Sequence, residues 1–441
     1  MSASGSAAIL GFVKLVGLAV LVSLASAVAF VLAAGGTASV WWSAIVAAVT
    51  MVALAWAFAW LARRRYQRRA AASADGRTRP VLARAVAGPA VLVLLTAVVS
   101  LSWLWPGIGR VTPEPVPGVT RLSLPDGTQL AVHVTRADAA TREPLIVVHG
   151  GPGVADMAHD VPVFALLATD RDVYVYDQIG TGASARLAEP AGYTLARAVA
   201  DLEAVRAMSG ADRVVLLGHS WGASVAMAYL SQYPQRVAGL VLSAPGLLPD
   251  DDGIIRPGLP QARLSGAQRT GLYLRLAAPR NLFAYALTAA NPHVAHAVAG
   301  DEEMDRRFAG LYARTAPALF CDPRLVDRLG TSGVGYYANQ IPQLHPDDAS
   351  AIIDLPKFRK LGVPTLLIKP ACDYIPWDQT VAYLDVFPEA PLVLMPDAGH
   401  QAYLERPDAY VELVAAFLAG RELPLPTVTG TDVPEGYRGV R

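Results

Sequence analysis

Cysteine is nearly missing from this sequence: Cys321 and Cys372 are the only two in 441 residues. Two cysteines permit one disulfide and establish none. The eight histidines are scattered, so no metal-ligand cluster forms, and neither a metal nor another cofactor is expected. Net charge is also missing, with 37 basic residues against 37 acidic. That balance removes any reason to expect a nucleic-acid partner. No internal repeat stands out, which argues against a repeat array. Tryptophan is sparse in the C-terminal three quarters, where only Trp221 and Trp377 follow Trp105.

What is abundant is apolar residue, 53% of the chain, and it is unevenly placed. Leu15–Ala34, Trp41–Leu61 and Ala85–Pro106 are uncharged apolar runs, each long enough to cross a hydrocarbon layer of ~30 Å. Helices apolar on every face have no side to show to water. A cleaved signal peptide is an alternative for the first run, since Ala25-Ser26-Ala27 resembles a processing site, but not for the other two. The stretch between the second and third runs carries eight arginines and one acid. Positive loops stay cytoplasmic, so a multi-pass anchor in the cell membrane is expected, contacting the bilayer through residues 15–106. Everything after Trp105 then lies outside the cytoplasm. Trp41, Trp42, Trp103 and Trp105 sit near span ends, as interfacial aromatics do.

Residues 107–118 read as a proline-rich linker. Strands are predicted at 120–124, 129–135, 144–148, 172–177, 212–217, 238–243, 363–369 and 391–395, with helices at about 194–208, 221–232, 377–387 and 404–419. Such alternation specifies an α/β fold, a mostly parallel sheet with helices on both faces. The core is assigned to 119–244 and 359–420. Residues 245–358 interrupt the rhythm with helical patterns and are expected to form a cap over the sheet's carboxyl edge. The tail 421–441 has no apolar period and is expected to be loosely ordered.

The chemistry concentrates at "GHSWG", where a strand pattern (Val214 to Leu217) meets a small-residue helix pattern. By chance G-x-S-x-G is expected about 0.15 times in a chain this long, so the pentapeptide alone is a modest signal. Its context is stronger. A serine on a tight strand-to-helix turn presents its hydroxyl, and flanking glycines let backbone pass close by. A hydroxyl nucleophile needs a base, and the base an orienting acid. "TLLIKPACDYIP" ends a strand with Asp373, and "LVLMPDAGHQAYLERP" ends a later one with His400. Ser220, Asp373 and His400 thus stand in the order Ser, acid, His of an α/β-hydrolase, with Asp378 and Asp397 as competing acids. Oxyanion donors are expected from the N–H of Trp221 and, after the third strand, from Gly151 in "HGGPG".

"HGGPG", "DQIGTGAS", "GHSWGASVAMAYLSQYPQRV", Asp373 and "AGH" together resemble the proline iminopeptidase branch of the α/β-hydrolase superfamily, over Val119 to Gly420. The resemblance implies Ser220 as nucleophile, His400 as base and Asp373 as its orienter, with Asp177 and its glycines shaping a loop beneath them. It implies a serine hydrolase that removes an N-terminal residue from short peptides; an esterase, lactonase or lipid-acyl hydrolase is the alternative. There are departures. Position 219 is His where the family has Gly, Ile179 replaces an arginine, and the cap's Trp–Glu pair that holds the substrate amine is missing. Glu302 and Glu303 are the candidate replacements, competing with their reading as a solvated helix start.

Overall fold

Two of the three apolar runs form single long helices. The computed structural model describes residues 3–71, 91–101, 105–107, 109–246, 248, 259–345 and 347–440. Helix α1 spans Ala3–Gly36, α2 Val40–Ala71, and α3 Val91–Leu101. Val13–Gly36 and Val40–Arg65 are long and apolar enough to cross a membrane; at 1.5 Å per residue, 24 residues reach about 36 Å. Of the third run only α3 and 105–107 are described, and most of the arginine-rich loop lies outside the described residues. The helices meet through small residues: Ala19 and Ala55 are buried together with Leu92. Ser23 Oγ donates to Thr96 O (3.3 Å) and accepts from Ser100 Oγ (3.1 Å) across that seam. Their outer faces show Leu21, Val28, Leu32, Val49 and Trp56. Polar atoms inside and large apolar side chains outside invert the pattern of a water-soluble bundle.

All eight expected strands form, and they enter one sheet. Its members are β1 (Val119–Ser123), β2 (Gln129–Thr135), β3 (Leu145–Val148), β5 (Val173–Asp177), β6 (Val214–His219), β7 (Val237–Ser243), β9 (Thr365–Pro370) and β10 (Leu392–Met395). Short β4 (Val154–Ala155) and β8 (Gly333–Val334) pair separately. The order is β1-β2-β5-β3-β6-β7-β9-β10. β2 runs antiparallel to β1 and β5; from β5 to β10 every pairing is parallel. Strands β3, β5, β6 and β9 are buried throughout. That is why they read as largely apolar runs: helices cover both faces of a parallel sheet. The layers include α4 (Met157–Phe164), α5 (Leu195–Ser209) and α6 (Trp221–Gln232).

Between β7 and β9 the described residues include α7 (Gly266–Leu276), α8 (Pro279–Ala290), α9 (Pro292–Val298), α10 (Asp301–Thr315), α11 (Tyr336–Leu344), α12 (Asp347–Ile352) and α13 (Leu355–Phe358). One part departs from expectation: Ala277–Gly300 groups with the N-terminal helices, not with the hydrolase core. After β9 come α14 (Trp377–Val386), α15 (Ala402–Glu405) and α16 (Pro407–Leu418).

The tail overturns the expectation of loose order. Val428 N–H donates to Leu392 O, Arg438 N–H to Ala371 O and Val440 N–H to Asp373 O, while Trp377 Nε1 donates to Thr431 O. Its ties are mostly backbone hydrogen bonds to the start of β10 and the exit of β9, joined by Tyr437 packed on Trp377 with ring centroids 5.3 Å apart; scattered contacts of this kind leave no hydrophobic period in the sequence. The two cysteines are joined, with Cα atoms 5.2 Å apart. The bridge links the cap segment after α10 to the residue preceding Asp373.

Candidate active site

Each strand that carries a motif ends on the same edge of the sheet. β6 runs directly into α6 with Ser220 between them at φ 53° and ψ −118°, a left-handed corner disfavoured for any residue with a Cβ. The glycines two positions away explain how it closes. A Cβ on Gly218 would stand 2.6 Å from Gly222 O, and one on Gly222 would stand 1.9 Å from Val148 O. Larger residues at either site would push β6, α6 and β3 apart. Main-chain bonds from Ser220 N–H to Ser243 O and from Gly246 N–H to Ser220 O hold the turn.

His400 and Asp373 meet as the order of motifs predicted. His400 Nδ1 lies 2.8 Å from Asp373 Oδ1, both side chains buried. With Nδ1 engaged, Nε2 is the nitrogen available for proton transfer. The competing acids are elsewhere: Asp397 pairs with Arg438 and Arg406 near the surface, and Asp378 is exposed at the start of α14. Tyr374, next in sequence to Asp373, reaches the Ser220 side chain. Its ring centroid is 4.5 Å from that of His400. His219, the departure from the family pattern, packs its ring 4.8 Å from His400. Burial first, and then the nearby His400, hold His219 neutral well below the usual imidazole range.

Ser220 is flanked by Trp221, which follows it in the chain, and by the loop that holds Gly150 and Gly151. Trp221 opens α6, where the first N–H groups have no intrahelical acceptor. The "HGGPG" loop comes close to the serine: a Cβ on Gly150 would stand 3.0 Å from the Ser220 Cβ. Gln178 connects the two sides. Its Nε2 donates to His149 O (2.8 Å) and its Oε1 accepts from Trp221 Nε1 (3.2 Å). Burial lowers His149 to about 4, so its ring stays neutral and its Nε2 accepts the Gln178 N–H. Asp177 accepts from Ala183 N–H and anchors the following loop; burial raises it to about 7.

Three supports escaped the sequence reading. Lys369 is a lysine within a fully buried strand, and that odd placement was the available signal. Its Nζ donates to Asp373 Oδ2 (3.2 Å) and Ile375 O (2.6 Å). Burial would raise the Asp373 carboxyl, but Lys369 and His400 together hold it well below the usual carboxylate range. Glu405, also buried, accepts from the N–H groups of Gly399 (2.7 Å), Cys321 (3.0 Å) and Asp322 (2.7 Å), fixing the loop before His400. Tyr374 is the third, and no local pattern marks it.

The two cap glutamates lie in the first turn of α10. Glu303 is bound to Arg307 at 2.7 Å, one helical turn along α10, and Glu302 is exposed. The buried acid of α10 is instead Asp305, which pairs with Arg186 (3.0 Å) and accepts the Tyr336 N–H (2.7 Å). Burial raises it to about 6 against the pull of Arg186.

The chain is similar to several known proteins. A proline iminopeptidase of Heyndrickxia coagulans is 39% identical over 104 residues, 24% of this chain and 35% of that protein. One from Levilactobacillus brevis is 26% identical over 287 residues, 63% of this chain and 89% of that protein. The aligned stretch spans 35% of the length of the Heyndrickxia coagulans protein and 44% of that of a proline iminopeptidase from Lactobacillus delbrueckii subsp. bulgaricus. Among solved structures, a thermophilic esterase from Thermogutta terrifontis superposes with a TM-score of 0.47 at 20% identity, covering 68% of this chain and 98% of that one. Residues 143–407 match the family model described as the alpha/beta hydrolase fold, and the chain belongs to that family.

Proposed function

We propose that this protein is a membrane-anchored serine hydrolase that releases an N-terminal residue from short peptides through an acyl-enzyme. The observation that carries the reading is the buried Asp373–His400 hydrogen bond beside a serine held in a strained turn. Ser220 Oγ attacks the scissile carbonyl and passes its proton to His400 Nε2. Negative charge gathers on the carbonyl oxygen, opposite the N–H groups of Gly151 and Trp221. His400 returns the proton to the leaving amine, whose bond to the acyl carbon breaks. Water, deprotonated by His400, then releases the acid and restores Ser220. Asp373 keeps the ring oriented and stabilises its charged form. The preference for a free N-terminus rests on the curated relatives.

A specific observation favours a second reading. A substrate ammonium under a cap needs an acid to pair with, since an unpaired buried charge costs several kcal/mol. Glu303 already has Arg307, and Glu302 faces water. An ester or lactone substrate has no such requirement. A panel of prolyl arylamide, its N-blocked counterpart and nitrophenyl esters divides the two. The aminopeptidase predicts cleavage of the free amine at least tenfold faster than of the blocked amide. Equal rates on both amides, with faster ester turnover, would assign the esterase.

The anchor reading places all three apolar runs across the cell membrane, with the arginine-rich stretch in the cytoplasm and the hydrolase domain on the extracytoplasmic side. The Cys321–Cys372 bridge supports that side, because thiols are kept reduced in most cytosols. In protein taken from cells without reductant, both cysteines should resist maleimide and react only after reduction. Thiols that react at once would put the domain in the cytoplasm.

A further inference from the structure

Residues 277–300, in the middle of the cap sequence, contain no aspartate, glutamate or lysine. They form α8 and α9, a helical hairpin that groups with α1–α3. Two contacts tie it to the end of α1. Phe283 packs on Phe30 with ring centroids 5.6 Å apart. Asn291 uses both ends of its amide: Oδ1 accepts from Val294 N–H and caps α9, while Nδ2 donates to Ala34 O (2.9 Å) and Thr37 O (3.2 Å). The last carbonyls of a helix are poorly supplied with intrahelical donors, and Asn291 adds a second donor to Ala34 O, which also accepts the Thr37 N–H at 3.3 Å. The sole arginine of the hairpin is buried, and its Nη2 donates to Val298 O at the end of α9 (3.0 Å). Its charge is therefore not displayed to solvent.

Apart from His293 on α9, what α8 and α9 expose is apolar. Leu282 is 53% exposed on α8, and Leu32 is 73% exposed on α1. Phe30 lies six residues before the end of α1, a depth of about 9 Å along the helix.

We propose that the α8–α9 hairpin is a membrane-docking element of the cap, seated on the outer end of α1 with Leu282 in the lipid at the headgroup–acyl boundary. The proposal rests on the anchor reading, since lipid must surround α1 for it to reach the hairpin beside it. The apolar outer surface of α1 and α2 identifies the occupant as lipid: one continuous solvent must serve Leu32 and Leu282 alike. Because α7 leads into the hairpin and α10 leaves it, the cap chain is pinned to the bilayer surface at its midpoint.

The test uses the full chain in phosphatidylcholine–phosphatidylglycerol vesicles. Leu282→Cys, Leu32→Cys and, on the hydrolase surface, Asp212→Cys are labelled one at a time with an environment-sensitive fluorophore; the native cysteines, being paired, do not react. Asp212 has a fully exposed side chain. The fluorophores at 282 and 32 should be quenched by doxyl lipid and resist aqueous iodide several-fold better than the one at 212. Lipid quenching at 32 with full iodide access at 282 would overturn the hairpin proposal and leave the anchor standing. Iodide access at 32 would overturn the anchor and the hairpin together. Protection of 282 from both quenchers would mean that protein covers the face, and would also overturn the proposal.

Discussion

Ser220→Ala and His400→Ala should each reduce turnover by a factor on the order of 10⁴–10⁶, and the double variant should be no worse than the poorer single one. Nucleophile and base act as one unit: without the base the hydroxyl is a poor nucleophile, and without the hydroxyl the base has nothing to activate. Residual turnover should remain above the uncatalysed rate, because the Gly151 and Trp221 amides are untouched. The fold should survive. Ser220→Ala removes one hydroxyl and keeps the Cβ, so the strained turn demands nothing new. Steady-state kinetics with far-ultraviolet dichroism check both points, and a serine-directed phosphonate should label Ser220 alone in the native chain. Activity within tenfold of the native value in Ser220→Ala, or labelling at another serine, would end this assignment.

Lys369→Met should affect stability and the pH profile together. Its ammonium and the Asp373 carboxylate are both fully buried and 3.2 Å apart. Removing one partner leaves a buried charge uncompensated, at about 3–5 kcal/mol, measurable by urea unfolding. The catalytic consequence has a definite sign. Lys369 offsets part of the Asp373 charge that His400 feels. Without it the carboxylate favours the imidazolium more strongly, so the acidic limb of kcat/KM moves to higher pH. Lys369→Met combined with Asp373→Asn should regain stability relative to Lys369→Met, since no lone charge is left, yet regain no activity. A merely structural lysine would lower stability and leave the acidic limb where it is.

Much of the fold was legible because its signals are local. A buried parallel strand is a short apolar run, as in "VVLL" of β6 or "TLLI" of β9, and the turns between strands carry glycine, proline and aspartate at positions only they suit. The order Ser220, Asp373, His400 was legible for a related reason: in an α/β sheet the loops that carry chemistry follow the strands, so chain order and position in the sheet are linked.

Other features depended on contacts that leave no period in the sequence. Asp373 was one of three acids until its 2.8 Å bond to His400 separated it from Asp378 and Asp397. Glu303 looked available until Arg307, one turn along the same helix, took its charge. The tail looked unstructured because its order comes from backbone N–H and C=O groups, which every residue but proline carries in full and no composition reveals. The sequence by itself determined the strands, the apolar helices and the residue types offered at each loop, since these follow from the spacing of side chains along one segment. Only the tertiary structure decided which of those residues meet. Cys321 and Cys372 lie 51 residues apart, and Asn291 lies 257 from the carbonyl of Ala34 that it caps; such pairings are set by how whole elements pack, not by any local pattern.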